Sequence, residues 1–473
     1  MNLCQALRLI PSRPPPNPPQ EFRTVTNSYL ADLWEVPVRA LGVVGSGGKT
    51  TALFQLARTL SGTNQQPVIV TATTHLHIDQ VRLADSQWTG EKPEDFANLE
   101  KNLHGVMLVT GPITGNRTMG LNKNTVAWLN TICSSHAMPL LIEADGSRQR
   151  PLKAPAEHEP PIPDFVETVA VVAGLSGLGK PLTEEFVHRP EIFARLSGLA
   201  IGETITPEAL LRVLTHPAGG LKNIPAQARR LVLLNQADTA ELQSIGEKMA
   251  QDLLAAFDAV LVGSVERSHV QTFERTAGII LAAGEARRFG QPKQLLDYHG
   301  QPFVRTVAKT ALASGLSPVV VVTGANAEVV EAAVYDLPVT ISRNADWQNG
   351  QSSSIKTGLQ ALPLSSLRGK EGIGATIFLL ADQPQVTSTV IHALIEEHTQ
   401  TLASILAPMV ASQRANPVLF DRVTFPDLIS LTGDVGGRAI FGKYQVIYLP
   451  WHDESLLLDV DTPEDLERLR NQE

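Results

Sequence analysis

A loop of small residues followed by two cations, with two carboxylates further along the chain, is what a metal-assisted reaction at a triphosphate requires. All of these occur in the second half of this sequence. Leu281-Ala282-Ala283-Gly284 keeps the backbone clear of bulky side chains, so N–H groups can approach phosphate oxygens, and Arg288 and Lys293 follow to offset phosphate charge. Asp382 in Ala381-Asp382-Gln383-Pro384 and Asp461 in Asp459-Val460-Asp461-Thr462-Pro463 each follow an apolar run. One carboxylate from each of two loops suits Mg2+, which takes few protein oxygens and keeps water and phosphate as its other ligands. Asp461 is equally placed to be the N-cap of a helix opening at Pro463.

Two further stretches offer polar groups nearby. Gln351-Ser352-Ser353-Ser354 is a hydroxyl-rich loop entering a helix, with Ser353 suited to a phosphate or a base edge, or simply to capping. Gly433-Asp434-Val435-Gly436-Gly437-Arg438 is a flexible loop with one cation, either a clamp on a second substrate or a surface turn.

The first half carries its own phosphate chemistry. Ala40-Leu41-Gly42-Val43-Val44 reads as a strand, Gly45-Ser46-Gly47-Gly48-Lys49-Thr50-Thr51 as a Gly-rich loop, and Leu53, Leu56, Ala57 and Leu60 as one face of the helix that follows. In such a P-loop the amides face phosphate, Lys49 reaches the outer phosphates and Thr50 touches a metal. Val43 stands six residues before Lys49 where the usual pattern has Gly, so the motif is a variant. Leu140-Leu141-Ile142-Glu143-Ala144-Asp145 supplies the second carboxylate, with Asp145 preferred over Glu143, and Leu231 to Leu234 leads into Asn235-x-x-Asp238, with the base left open. His75, His158 and His188 have no spacing that forces convergence and are expected to be solvent-facing or internally satisfied.

These groups need strands that deliver them to one edge. Residues 276–281, 319–322 and 375–380 are buried-type strands, and Phe303, Val307 and Ala311 with Val304, Ala308 and Leu312 mark an amphipathic helix between them. The alternation predicts an α/β fold in two domains, a P-loop-like domain at 39–268 and a second at 276–473, with ligands at the C-terminal ends of mostly parallel strands. Residues 1–38 read as a peripheral extension, since six of the nine residues 11–19 are proline.

A chain of 473 residues exceeds one ordinary core, and 43% hydrophobic with 18% charged residues describes a globular protein. Its net charge of -9 gives no basic footprint for nucleic acid. Cys4 and Cys133 form no disulfide framework or zinc spacing, so a reducing cytoplasm is expected. No apolar run is long enough for a membrane span.

The first half resembles the YqeC-type accessory proteins associated with selenium-dependent molybdenum hydroxylases. The resemblance rests on the Gly45 to Thr51 loop, Thr73-Thr74-His75, Glu143-Ala144-Asp145-Gly146-Ser147, Lys153-Ala154-Pro155, His158-Glu159-Pro160 and His188-Arg189-Pro190-Glu191. The Gly-rich loop points to ATP or GTP in that domain, and the resemblance implies xanthine dehydrogenase-family hydroxylases as partners.

Residues 276–470 resemble the MobA-like nucleotidyltransferases, and within them the molybdenum cofactor cytidylyltransferases. The matching residues are Leu281-Ala282-Ala283-Gly284, Arg288, Gly290, Lys293, Ser352-Ser353-Ser354, Ala381-Asp382-Gln383-Pro384, Asn416-Pro417-Val418, Gly433-Asp434, Arg438 and Asp459 to Pro463. Ala286, Asn416 and Gly437 depart from the residues usual in relatives (Ser, His and Ala). The resemblance implies a Rossmann-like nucleotidyltransferase fold of the nucleotide-diphospho-sugar transferase type at 276–473 and CMP transfer from CTP to molybdopterin carrying molybdenum, with Arg288, Lys293 and Asp382 catalytic and Asp382 and Asp461 on Mg2+. The nucleotide then lies on 281–284, Lys293, Ser353 and Asp382, and the acceptor on Asn416, Asp434 and Arg438. The alternatives are a guanylyl- or sugar-phosphate nucleotidyltransferase and, from another class, a non-catalytic cofactor carrier with an NTP-driven switch.

Overall fold

The computed structural model describes residues 1–9, 40–64, 66–285, 291–363, 372–460 and 462–470. They fall into two compact α/β units, and the chain passes from the first to the second between Phe273 and Glu274. Among the described residues no helix is long and apolar enough to cross a membrane.

In the first unit the strands are β1 (Ala40–Gly45), β2 (Val68–Ala72), β3 (Ser86–Thr89), β4 (Val106–Thr110), β5 (Leu140–Glu143), β6 (Thr168–Gly174), β7 (Arg229–Asn235), β8 (Ala259–Ser264) and β9 (His269–Phe273). They form one nine-stranded sheet in the order 9-8-7-6-1-5-2-4-3, parallel except for the antiparallel β8/β9 pair. Successive strand residues alternate between two cores: Leu41 and Val43 pack on one face of the sheet and Val44 on the other. The helix Lys49–Asn64 lays Leu53, Leu56, Ala57 and Leu60 on the first of these faces, all buried. Each buried Leu stabilises by about 1.5–3 kcal/mol. The chain leaves β1 for one side of the sheet and later returns to its other side, so the crevice at the end of β1 is a topological switch point.

The N-terminal residues differ from the sequence expectation. Leu3, Cys4, Ala6 and Leu7 are buried in the core beneath Leu53 and Leu56 rather than peripheral. Burial pushes the Cys4 thiol up to about 12, so it behaves as a small apolar group. The Met1 ammonium donates to Val270 O at 3.1 Å and Thr272 donates to Ala6 O at 3.1 Å. The apolar pairs in this short segment outweighed the proline tract that dominated its composition. The stretch 269–273, read as lying beyond the first domain, is the strand that closes its sheet.

The second unit has β10 (Arg275–Ala282), β11 (Val319–Thr323), β12 (Thr340–Arg343), β13 (Ile373–Leu380), β14 (Ile405–Val410), β15 (Gln413–Arg414), β16 (Val418–Asp421) and β17 (Val446–Trp451). Their order is 12-11-10-13-16-14-15, with β17 paired to β14. Strands β10 to β13 are parallel, whereas β16 runs antiparallel to both β13 and β14, so the sheet is mixed. The helix Phe303–Ala313 buries Phe303, Val304, Val307, Ala308 and Ala311, the face its periodicity predicts. Leu281 pairs with Leu380 and Ala282 with Thr323, which brings the loops after β10, β11 and β13 to one edge.

Candidate functional site

Each unit gathers polar groups at the C-terminal edge of its sheet, and each is described by itself. In the first unit Val43 pairs with Glu143 and Gly45 with Val172, so the loop after β1 lies between the ends of β5 and β6. Gly45, Gly47 and Gly48 all have positive φ, and a Cβ on Gly47 would fall 2.3 Å from Gly174 N, so the glycines are required by the close packing. The amides of residues 45–47 are satisfied by the protein itself. Gly45 N donates to both Asp145 oxygens at 3.1 and 3.0 Å, Ser46 N to Val172 O at 2.8 Å and Gly47 N to Arg150 O at 3.1 Å.

Lys49 is 3% exposed. Its Nζ donates to Gly45 O at 2.6 Å and lies 3.3 Å from Asp145 and 3.8 Å from Glu143. Thr50 Oγ1 donates to Glu143 Oε2 at 2.8 Å. The hydroxyl at the metal-touching position of the motif is therefore paired with Glu143, whereas Asp145, the carboxylate preferred from the sequence, sits on the loop backbone and Lys49. Burial raises the Glu143 carboxyl, with Lys49 acting against it.

The charges continue as an alternating ladder. Lys153, its side chain 1% exposed, lies 2.8 Å from Asp145 and 2.7 Å from Glu159, and Arg189 clasps Glu159 bidentately at 2.7 and 2.9 Å. Pairing of Leu152–Lys153 with Val187–His188 as two short parallel strands delivers Lys153 and Arg189 to the same place. Burial, then Arg189, Lys153 and Arg148, bring His188 down to about 4. Motifs separated by more than a hundred positions in the chain thus become one buried network. Asn235 braces the loop from the far side, donating to Gly47 O at 2.8 Å and accepting from Val265 N at 3.0 Å. Gln236 accepts from Ser176 at 2.6 Å, while His75 and His158 are exposed.

In the second unit the loop after β10 is held from below by Gln294. That side chain is 7% exposed and donates to Gly284 O at 2.8 Å and Ala282 O at 3.4 Å. Ala325 N donates to Ala283 O at 3.1 Å, and a Cβ on Gly324 would come within 2.6 Å of that same oxygen. Leu281 is half-buried, Ala282 and Ala283 are buried and Gly284 is exposed, so the loop opens outward at its tip. Lys293 begins a short 3-10 turn, half-buried, and Asp382 is half-buried just beyond β13. Arg288 and Asp461 lie outside the described residues.

Residues 351–354 are the first turn of the helix Gln351–Gln360 rather than a loop before it. Ser353 and Ser354 accept from Asn344 Nδ2 at 2.8 and 3.0 Å. Asp434 accepts from Gln351 N at 3.1 Å and Ser352 donates to Gly433 O at 2.6 Å. Asp434 thus occupies the positive end of this helix and moors its own loop there. Arg438 is exposed, with Nη2 3.4 Å from Arg414 O and 3.5 Å from Asn416 Oδ1.

The cap role read for Asp461 is filled by its neighbour: Thr462 Oγ1 accepts from Asp465 N at 3.2 Å and Thr462 N donates to Asp465 at 2.9 Å, a reciprocal capping box for Pro463–Arg470. Sequence reasoning missed Gln294 and Gln385 and quoted Gln383 in a motif without giving it a role. All three are buried, and Gln383 and Gln385 tie β13 to the segment 455–459. Their signal was available as glutamines flanking Pro384 directly after an apolar strand. Among the described residues no group of three or more His, Cys, Asp or Glu side chains is gathered to hold a metal.

Comparison with known proteins divides the chain in the same two parts. Residues 41–191 match the YqeC protein family and residues 278–447 the MobA-like NTP transferase domain. The protein YqeC of Escherichia coli (strain K12) is 32% identical over 236 residues, which is 48% of this chain and 87% of that protein. Nicotine blue oxidoreductase of Paenarthrobacter nicotinovorans is 33% identical over 202 residues, covering 41% of this chain and 95% of that one. The purine catabolism protein PucB of Bacillus subtilis (strain 168) is 32% identical over 205 residues, covering 41% and 95%.

Proposed function

The chain belongs to the YqeC family in its first half and to the MobA-like NTP transferase family in its second, and from that premise we propose that the second unit is a molybdenum cofactor cytidylyltransferase. The reaction transfers CMP from CTP to the terminal phosphate of molybdopterin bearing molybdenum. An acceptor phosphate oxygen bonds to the α-phosphorus as the bond to pyrophosphate breaks, and pyrophosphate leaves. One observation supports this most: β10 and β13 are adjacent and parallel, with Leu281 paired to Leu380, so the small-residue loop and Asp382 stand on one edge.

Residues 281–284 receive the triphosphate through their amides, and Lys293 with Arg288 stabilises the departing pyrophosphate. Ser353, at the first turn of its helix, completes the nucleotide side. Asn416, Asp434 and Arg438 face the acceptor. The donor set is all oxygen, with Asp382 at the strand end and Asp461 two positions after Asp459 in the sequence, which fits a hard ion that keeps water and phosphate ligands rather than a fully protein-bound one. A bound Mg2+ would neutralise charge on the phosphates.

In the first unit the same reading gives ATP or GTP binding at residues 45–51, with the Thr50 and Glu143 pair in place to hold a metal and Asp145 controlling the loop. Tethering this unit to the transferase raises the effective concentration of a labile cofactor for delivery to molybdenum hydroxylases.

The test is mass spectrometry of products after mixing the protein with CTP, GTP or ATP and molybdenum-loaded molybdopterin. Cytosine dinucleotide and pyrophosphate formed from CTP alone support the proposal. A guanine product assigns the rival transferase, and tight cofactor binding without pyrophosphate assigns the carrier. A relative named for an oxidoreductase activity makes electron transfer a further rival, and that too predicts no pyrophosphate.

A further inference from the structure

Gln383 is 4% exposed, next to half-buried Asp382. Its Nε2 donates to Asp459 Oδ1 at 2.9 Å, and its Oε1 accepts from Asn416 Nδ2 at 3.2 Å. Asn416 Oδ1 in turn faces the Arg438 guanidinium at 3.5 Å, the long limit of hydrogen bonding. The chain has a fixed direction. An ionised Asp459 can only accept, which turns the Gln383 NH2 toward it and leaves its oxygen for Asn416. Asn416 must then present its own NH2 to Gln383 and its oxygen to Arg438, which can only donate.

The three links come from separate parts of the chain: the loop after β13, the turn before β16 and the segment before the C-terminal helix. Gln385 adds a second tether by donating to Ser455 O at 3.1 Å and Leu458 O at 2.8 Å, but it reaches only backbone and so fixes position without orienting a side chain. Of these two glutamines it is Gln383 that joins two side chains, those of Asp459 and Asn416. A methionine would fill the same space while leaving Asp459 and Asn416 unoriented, and a carboxylate would repel Asp459.

We propose that Gln383 is a positioning residue that couples the acceptor side of the second unit's site to its metal side, orienting Asn416 and Arg438 on one hand and fixing the Asp459 segment beside Asp382 on the other. This rests on reading the second unit as a metal-dependent nucleotidyltransferase. The coupling makes the two sides share one hydrogen-bond pattern, so a disturbance at Gln383 is felt as weaker metal binding and weaker acceptor binding together. The nucleotide side, built on residues 281–284 and Lys293, is left alone.

The experiment uses the full chain with Gln383→Met and Gln383→Glu. Calorimetry reads Mn2+ binding in the presence of cytidine 5′-(α,β-methylene)triphosphate, which cannot be cleaved between those phosphates, and steady-state pyrophosphate release reads the KM values. Gln383→Met should weaken Mn2+ roughly 10- to 100-fold, as loss of a ligand's supporting partner does elsewhere, and raise the acceptor KM with the CTP KM unchanged. Gln383→Glu should match it at pH 8 but recover toward the wild-type value as the pH is lowered to about 5.5, because a protonated carboxyl donates to Asp459 as the amide did. A merely structural glutamine gives no such recovery. Wild-type Mn2+ affinity in both variants, or a Gln383→Glu deficit that is independent of pH, overturns the proposal. A wild-type protein that releases no pyrophosphate from any nucleotide overturns the functional reading instead, and the calorimetry still decides the role of Gln383.

Discussion

Thr50 donates its hydroxyl to Glu143 at 2.8 Å, while Asp145, two residues on, holds the amide of Gly45. The two carboxylates at the end of one strand therefore have different duties. If the first unit takes a metal-bound nucleotide, Glu143→Gln should weaken that binding about tenfold or more only when magnesium is present, since metal-site partners carry effects of that size. Asp145→Asn should change nucleotide affinity with or without metal. Fluorescent nucleotide titration with and without Mg2+ separates the two, and an equal magnesium dependence in both variants contradicts the assignment.

Lys153 carries two buried partners, Asp145 and Glu159. Lys153→Met leaves both carboxylates without their central cation and should destabilise the first unit by about 3–5 kcal/mol, the usual effect of breaking a buried pair. Urea unfolding of the variant against the wild type measures this, and a loss below about 1 kcal/mol would place the ladder among exposed, screened pairs.

Acid should unfold the first unit in two stages. Burial works against the Glu159 carboxylate, but hydrogen bonds from Arg189 and Lys153 outweigh it and hold its pKa at about 2, below the ordinary 4.5. His188 lies at about 4, below its ordinary 6.5. A group depressed in the folded state contributes stability that is present above its unfolded pKa and lost as the pH falls. Stability should decline first between pH 6.5 and 4 through His188, then between 4.5 and 2 through Glu159. Urea midpoints at stepped pH follow this, and His188→Gln should flatten the upper stage.

Lys293→Ala should reduce CTP-dependent pyrophosphate release by roughly 100- to 1,000-fold, the effect of losing one stabiliser of developing charge. Circular dichroism should be unchanged. Near-normal turnover would remove Lys293 from the catalytic set.

Gly350 has φ +94°, and a Cβ there would fall 2.4 Å from Asp434 Cα. Gly350→Ala should expel the loop 433–438 from its helix and raise the acceptor KM while sparing the CTP KM. It should also cost more than about 1 kcal/mol in stability, because the native conformation excludes a side chain. Kinetics with each substrate varied in turn would show the split.

The strands and the small-residue loops after two of them were legible because buried parallel strands read as apolar runs and glycines mark their ends. Leu53, Leu56, Ala57 and Leu60 declared their helix face by spacing alone. That the Thr50 hydroxyl meets Glu143 and not Asp145 was not legible, because it depends on which face of β5 meets the helix carrying Thr50, a fact of packing. Leu3 to Leu7 escaped notice because so short an apolar segment has no period, and only the vacant face beside β9 gives it a place. Lys153, Glu159 and Arg189 were visible as motifs but not as one network, since the parallel pairing of 152–153 with 187–188 is what joins them. Gln383 was quoted in a motif but given no role and Gln385 was passed over, because a glutamine is read as surface until its partners are seen.

Asp145 on the amide of Gly45 has a consequence for selectivity. The loop already contains an anion of its own, delivered at the high local concentration of a residue on the same chain. A lone inorganic phosphate must compete with that resident carboxylate for Gly45 and Lys49, and Lys153, already 2.8 Å from Asp145, helps to hold the carboxylate where it is. If the first unit takes a nucleotide, its own acid sets a threshold that a single small anion does not pass and a ligand bringing several phosphate oxygens at once does.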